Sequence, residues 1–255
     1  QIITSVSSLS SFSQIVGTPS TTQTYTVSGN NLTNDVVITP PAGFEISTDA
    51  GSTWNNNSSP VTLTQSGGTL PGQPVTITTR MNASSAAVYT GNISHVSTDA
   101  STQYVAVSGT ALATEPTVSP TVTFGTVTDV SIVINFSGGN GDKRIVVVRS
   151  SNAVSWAPTD GNAVSGVNPN FTTATDQGSG NKVVYDNTGN TVTVTGLAQN
   201  TTYHFAVYEY NVGSGNTQNY NTASPGTNNQ TTVAVATLSV TPTSLSFSSV
   251  EIDSI

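Results

Sequence analysis

The chain has 255 residues, only 7% of them charged, and its 5 Lys and Arg stand against 13 Asp and Glu for a net charge of −8. That balance argues against a reader of the nucleic-acid backbone, which needs clustered Lys and Arg, and against attraction to an anionic membrane. With no cysteine there is no disulfide or thiol chemistry, and no apolar run reaches the roughly 18 residues of a membrane span. The absence of cysteine does not by itself place the chain inside or outside a cell. Residues 1–20 carry no basic stretch followed by an apolar one, so the chain reads as a mature or excised fragment. Val, Ile, Thr and Tyr alternate with uncharged polar residues in short runs divided by Gly, Asn and Pro. That is the period of half-buried strands, and hardly any stretch has helical periodicity. The reading is all-β: two antiparallel β-sandwich modules in tandem, each long enough to bury its own core.

Residues 1–112 form the first module, with strands predicted at 5–13, 22–28, 35–39, 44–47, 61–65, 75–79, 88–96 and 103–108. Pro40-Pro41-Ala42-Gly43 reads as a turn. The run Val88-Tyr89-Thr90-Gly91-Asn92-Ile93, followed by Val105-Ala106-Val107-Ser108-Gly109-Thr110, resembles the last two strands of immunoglobulin-like repeats in large bacterial surface proteins. Ser47-Thr48-Asp49-Ala50-Gly51-Ser52-Thr53-Trp54 is similar to the Asp-box of sialidases and other β-propellers. A sialidase would add an arginine cluster to grip a carboxylate, and this module has Arg80 alone. The box is therefore expected to staple a hairpin, with Asp accepting turn amides and Gly allowing positive φ.

Residues 113–116 are a Pro-containing linker, expected to be extended and stiff, and residues 117–233 form the second module. Its strands are predicted at 121–126, 131–136, 144–149, 182–185, 191–195, 202–210 and 223–231. Val146-Val147-Val148 is apolar on both faces, which leaves open which residues point inward. The segment 150–180 is long for a connection and carries Trp156. Leu197, Tyr203, Phe205 and Val207 alternate with more polar neighbours after the turn at Gly196. This run resembles the E–F corner and strand F of a fibronectin type III module. The resemblance implies a tyrosine corner, with the Tyr203 hydroxyl bonded to upstream backbone. Phe136 stands where many such modules carry Trp on strand B, so membership would be divergent. Glu209 extends the inward series, and an ion pair with Lys143 or Arg144 is expected at that pole. The loops 138–142 and 212–219 share the pole and are expected to face the first module.

Residues 234–255 read as the first strand of an incomplete following repeat, because Ser244-Leu245-Ser246-Phe247-Ser248 echoes Ser8-Leu9-Ser10-Ser11-Phe12-Ser13. A lone first strand leaves its apolar face uncovered, so donation to another sheet edge is a further expectation. Asp253-Ser254-Ile255 resembles an O-glycosylation site of some Gram-negative surface proteins, which marks Ser254 as a modification candidate.

No catalytic constellation emerges. His95 and His204 lie in different modules without metal-ligand spacing, and the acids are too dispersed for a calcium loop. The chain is read as non-catalytic, with no catalytic residue, metal or cofactor. Trp156, Tyr208 and Tyr210 are the ligand candidates, because exposed aromatics stack on sugar rings. The opposing expectation, and the favoured one, is that strand A, the long loop or a neighbouring module covers them. Taken together, the chain resembles tandem immunoglobulin-like and fibronectin type III repeats of large bacterial surface proteins exported by the type IX route. The resemblance implies an extracellular spacer or stalk segment of an adhesin. Its partners would be neighbouring repeats, other subunits joined through the C-terminal strand, or a glycan or surface partner, with no nucleic acid and no membrane insertion. The alternatives are accessory binding modules of a secreted enzyme and a filament subunit.

Overall fold

The computed structural model describes residues 1–236, and every regular element among them is a strand. Of the incomplete repeat expected over 234–255, residues 237–255, with Ser254 among them, lie outside the described residues. The first module contains β1 (Ile2–Thr4), β2 (Phe12–Ile15), β3 (Gln23–Gly29), β4 (Val36–Thr39), β5 (Phe44–Ser47), β6 (Val61–Leu63), β7 (Val75–Met81), β8 (Ala87–Val96) and β9 (Gln103–Leu112). A sheet ordered β1-β3-β7-β5 faces one ordered β2-β9-β8-β4-β6. Alternate residues of both, among them Val27, Ile38, Ile77, Ile93 and Val105, close a single core in which Phe12 and Phe44 meet edge to face at 5.5 Å.

The strand expected over 5–13 is instead two pieces. β1 pairs antiparallel with β3, and β2 runs parallel to β9 in the opposite sheet. Ile2 and Phe12 are both core residues, whereas Ser5, Ser7, Ser8, Ser10 and Ser11 are exposed. The chain crosses from one sheet to the other between these anchors, so one continuous alternation could not describe it.

His95 lies in this core, with no exposed surface. Its Nδ1 faces the Gln103 carbonyl at 3.3 Å, which fixes the proton on Nδ1, and its Nε2 therefore accepts from the Tyr25 hydroxyl at 2.8 Å. Burial holds the imidazole below the usual histidine range, against the smaller opposing effect of the Gln103 carbonyl, and burial also pushes the Tyr25 hydroxyl up.

The second module contains β10 (Thr121–Val127), β11 (Ile132–Ser137), β12 (Lys143–Ser150), β13 (Lys182–Asn187), β14 (Thr191–Val194), β15 (Thr202–Asn211), β16 (Asn219–Tyr220) and β17 (Gly226–Thr231). Sheet β10-β11-β14 packs on sheet β13-β12-β15, to which β16 and β17 both add along β15. The core between them holds Ile132, Ile134, Phe136, Val146, Val148, Tyr203, Phe205 and Val207. The tyrosine corner is present: the Ala198 N–H donates to the Tyr203 hydroxyl at 2.9 Å. The preceding Gly196 has φ +68, and a Cβ there would come within 2.2 Å of Asn170 Oδ1.

The outer face of β12 and β15 is also covered. Ile145, Val147, Ala206, Tyr208, Tyr210 and Tyr220 form a second apolar layer, against which Val154, Trp156, Val164 and Val167 pack from the long connection between β12 and β13. Val146 and Val148 thus face the inner core and Val147 the outer one, and each is fully buried. The described residues form two antiparallel β-sandwiches in tandem, with the parallel β2–β9 pair as the one parallel ladder among the described strands.

The neutral buried imidazole gives a pH test. The unfolded chain protonates His95 near pH 6.5 and the folded chain only below that, so stability must fall as pH drops below about 6.5 and level off beneath the folded pKa. The slope below pH 6.5, measured by urea unfolding, is bounded by the one proton of His95 at about 1.4 kcal/mol per pH unit. His95→Gln should remove it, and an unchanged slope in that variant would contradict this assignment.

Candidate functional site at the pole of the second module

The three aromatic ligand candidates are not exposed together. Tyr208 and Tyr210 do lie on the outer face of β15, but they are only 6% and 3% exposed. The long connection covers them, and both hydroxyls are engaged: Tyr208 donates to the Trp156 carbonyl at 3.1 Å, and Tyr210 to Asp186 Oδ1 at 2.5 Å. Trp156 is half-buried in the same layer. The expectation that these side chains present a free stacking surface is therefore corrected, and its physical reason is the apolar outer layer, which must be shielded from water.

The Asp-box is likewise committed to structure. Ser47 and the Thr53 N–H both donate to Asp49 Oδ1, at 2.7 and 2.9 Å, and the Thr53 hydroxyl donates to Oδ2 at 2.6 Å. These bonds, Ser47's first, hold the Asp49 carboxyl well below the usual carboxylate range. Ala50 and Gly51 take φ 57 and 90 in the turn, and the Arg80 guanidinium lies 3.9 Å from the Trp54 ring centre while pairing with Glu45. No group of three or more His, Asp or Glu that could hold a metal ion occurs among the described residues.

The richest polar constellation lies where β12 and β15 end. Glu209 continues the inward series of β15 and is 1% exposed. Arg144 stands directly opposite it in the β12–β15 ladder, so both side chains leave the sheet on the same face. Arg144 Nε approaches Glu209 Oε1 at 2.9 Å as an ionic contact without hydrogen-bond alignment, whereas Nη2 donates to Oε2 at 3.1 Å. The Gly141 N–H adds a third contact, to Oε2 at 3.0 Å. The Arg144 Nη1 donates to the carbonyls of Thr188 and Gly189 at 3.1 and 2.9 Å, which ties the turn between β13 and β14 to the pair.

The glycines of loop 138–142 serve close approach. A Cβ on Gly139 would lie 2.2 Å from Glu209 Cδ, and one on Gly141 would lie 2.8 Å from the Tyr210 backbone nitrogen. Between them, Asn140 Oδ1 accepts the N–H groups of Thr117 and Val118 at 3.0 and 2.9 Å. Asn211, two residues beyond Glu209, accepts the Asp142 N–H at 2.8 Å and donates to the Thr114 carbonyl at 2.8 Å. The same pole therefore closes around a buried ion pair and grips the inter-module linker.

Loop 212–219 completes the contact. The Ala113 N–H donates to the Thr217 carbonyl at 3.0 Å, and Asn219 Nδ2 donates to the Ala113 carbonyl at 2.8 Å. The Ser214 N–H reaches the Ala86 carbonyl of the first module at 2.9 Å. A Cβ on Gly213 would fall 2.1 Å from that carbonyl oxygen, so the two backbones meet without room for a side chain. Both loops were expected at this pole, and Arg144 was one of the two cations expected for Glu209. Asn140, Asn211, Thr217 and Asn219 were not singled out. In so Asn- and Thr-rich a chain nothing in their immediate sequence distinguishes a linker clamp from a turn residue.

No family model matches the chain. No curated protein matches it either. Among solved structures it is similar to the FN1–FN3 domains of chicken CNTN1, at 12% identity and TM-score 0.36 over 88% of this chain and 63% of that one. It is also similar to a segment of two fibronectin type III domains from chicken tenascin, at 12% identity and TM-score 0.34 over 87% of this chain and 96% of that one. The fibronectin type III domain of human fibronectin type III domain containing protein 3 matches 51% of the chain and 94% of its own length, at 17% identity and TM-score 0.30.

Removing one member of the Glu209–Arg144 pair strands its partner's charge inside the module. Glu209→Leu or Arg144→Leu alone should each cost about 3 kcal/mol in urea unfolding, while the double leucine variant should recover most of that loss. Single variants within about 1 kcal/mol of the parent would show that the pair does not hold the pole.

Proposed function

We propose that the chain is a structural and adhesive repeat segment of an extracellular surface protein, a spacer whose modules are held in fixed relation. The observation that carries this reading is the clamped linker. Between the end of β9 and the start of β10, the chain is bonded through Ala113, Thr114, Thr117 and Val118 to side chains and backbone of the second module's pole. A flexible tether would leave those groups to water. A spacer transmits position and force along the chain, and it needs such a joint. The low charge and dense Ser, Thr and Asn content suit a hydrated surface without strong electrostatic partners. The resemblance to bacterial repeats exported by the type IX route extends the proposal to that setting, with neighbouring repeats as the first partners.

The joint can be opened without touching either core. Gly213→Val places a side chain against the Ala86 carbonyl, and Asn219→Ala removes the bond to Ala113. Residual dipolar couplings of the parent should fit one alignment tensor for both modules. The Gly213→Val, Asn219→Ala variant should need two tensors while each module keeps its own amide spectrum. Two independent tensors in the parent would contradict a rigid spacer.

A further inference from the structure

We propose that the outer face of β15 and β17 carries a binding groove for a neutral saccharide, beside the covered aromatics rather than on them. The groove has a volume of about 260 Å³ and is lined by Val154, His204, Ala206, Tyr208, Thr227 and Asn229, among others. In the β15–β17 ladder His204 stands opposite Asn229, and Ala206 opposite Thr227, so these four share one face of the sheet. Ala206 is small and buried and leaves a trough, which Tyr208 and Val154 wall on the side of the long connection.

The rim is polar and unspent. Among the described residues, the His204 imidazole, the Thr227 hydroxyl and the Asn229 side-chain amide make no hydrogen bond, although the neighbouring Asn228 amide is used on the Val122 carbonyl at 2.9 Å. Together they present donors and acceptors over an apolar floor. A pyranose has this complementary form: C–H groups on one face and a ring of hydroxyls at the edge. Charge selects the neutral class. No Lys or Arg lines the groove, and the nearest candidate in sequence, Arg149, is committed to the Ser179 and Ala153 carbonyls and the Ser155 hydroxyl. The net charge of −8 further disfavours acidic sugars.

The test is an amide NMR titration of the full chain with glucose, galactose, mannose and N-acetylglucosamine, alongside glucuronate and sialic acid. A neutral sugar should cause saturable shifts at Ala206, Thr227 and Asn229, with a dissociation constant on the order of 1 mM. Asn229→Ala and His204→Ala should each weaken binding about tenfold, while shifts remote from the groove stay unchanged. Neither side chain has an intramolecular hydrogen bond to lose, so both variants should fold. No saturable shift with any of the neutral sugars, preference for the acidic sugars, or unchanged affinity in both variants would overturn the proposal.

Discussion

A carboxylate buried at the end of a strand must be matched, and the matching of Glu209 sets the design of the second module. Arg144 supplies the opposite charge from the adjacent strand, and its remaining donors gather carbonyls from the β13–β14 turn. The Gly-rich loop 138–142 can fold over the pair only because its glycines leave space for it. Once that loop is fixed, Asn140 points at the linker, and once β15 is fixed, so does Asn211. Burial of such a pair does little for net stability compared with an apolar replacement, because desolvation offsets most of the attraction. Its consequence is geometric: it holds two loops, and through them the linker, in one arrangement.

The second organising constraint is the double-faced apolar character of β12. A sheet with one wet face would alternate, yet Ile145 through Val148 are buried without interruption. The long connection between β12 and β13 exists to cover the outer half of that surface, with Val154 and Trp156 among its anchors. The cover stops short of the β15–β17 border, and the groove lies there. The joint and the groove thus occupy different places: the pole fixes the neighbouring module, and the sheet border is open to solvent.

Much of this was legible in the residues. The strand periods and the inward place of Glu209 follow from local pattern, and the bond of the Tyr203 hydroxyl follows from the resemblance that its run carries. The first strand was misread because an edge segment that changes sheets breaks its alternation between Ile2 and Phe12. Alternation assigns Tyr208 and Tyr210 to the outer face and says nothing of what covers that face. The uninterrupted Val146-Val147-Val148, read together with the long connection and its Trp156, carried that information. The asparagines of the joint carried no local signal. Their role arises only when loops distant in sequence meet the linker.

The central claim is that the ion-pair pole and the inter-module linker form one cooperative unit. Native-state hydrogen exchange tests it directly, through the amides that report on each part: Gly141 on the carboxylate of Glu209, Thr117 and Val118 on Asn140, and Ala113 on Thr217. The account predicts that these amides share one opening free energy and are weakened together by Arg144→Leu. Linker amides that exchange at the rate of an unstructured chain while Gly141 stays protected would contradict it.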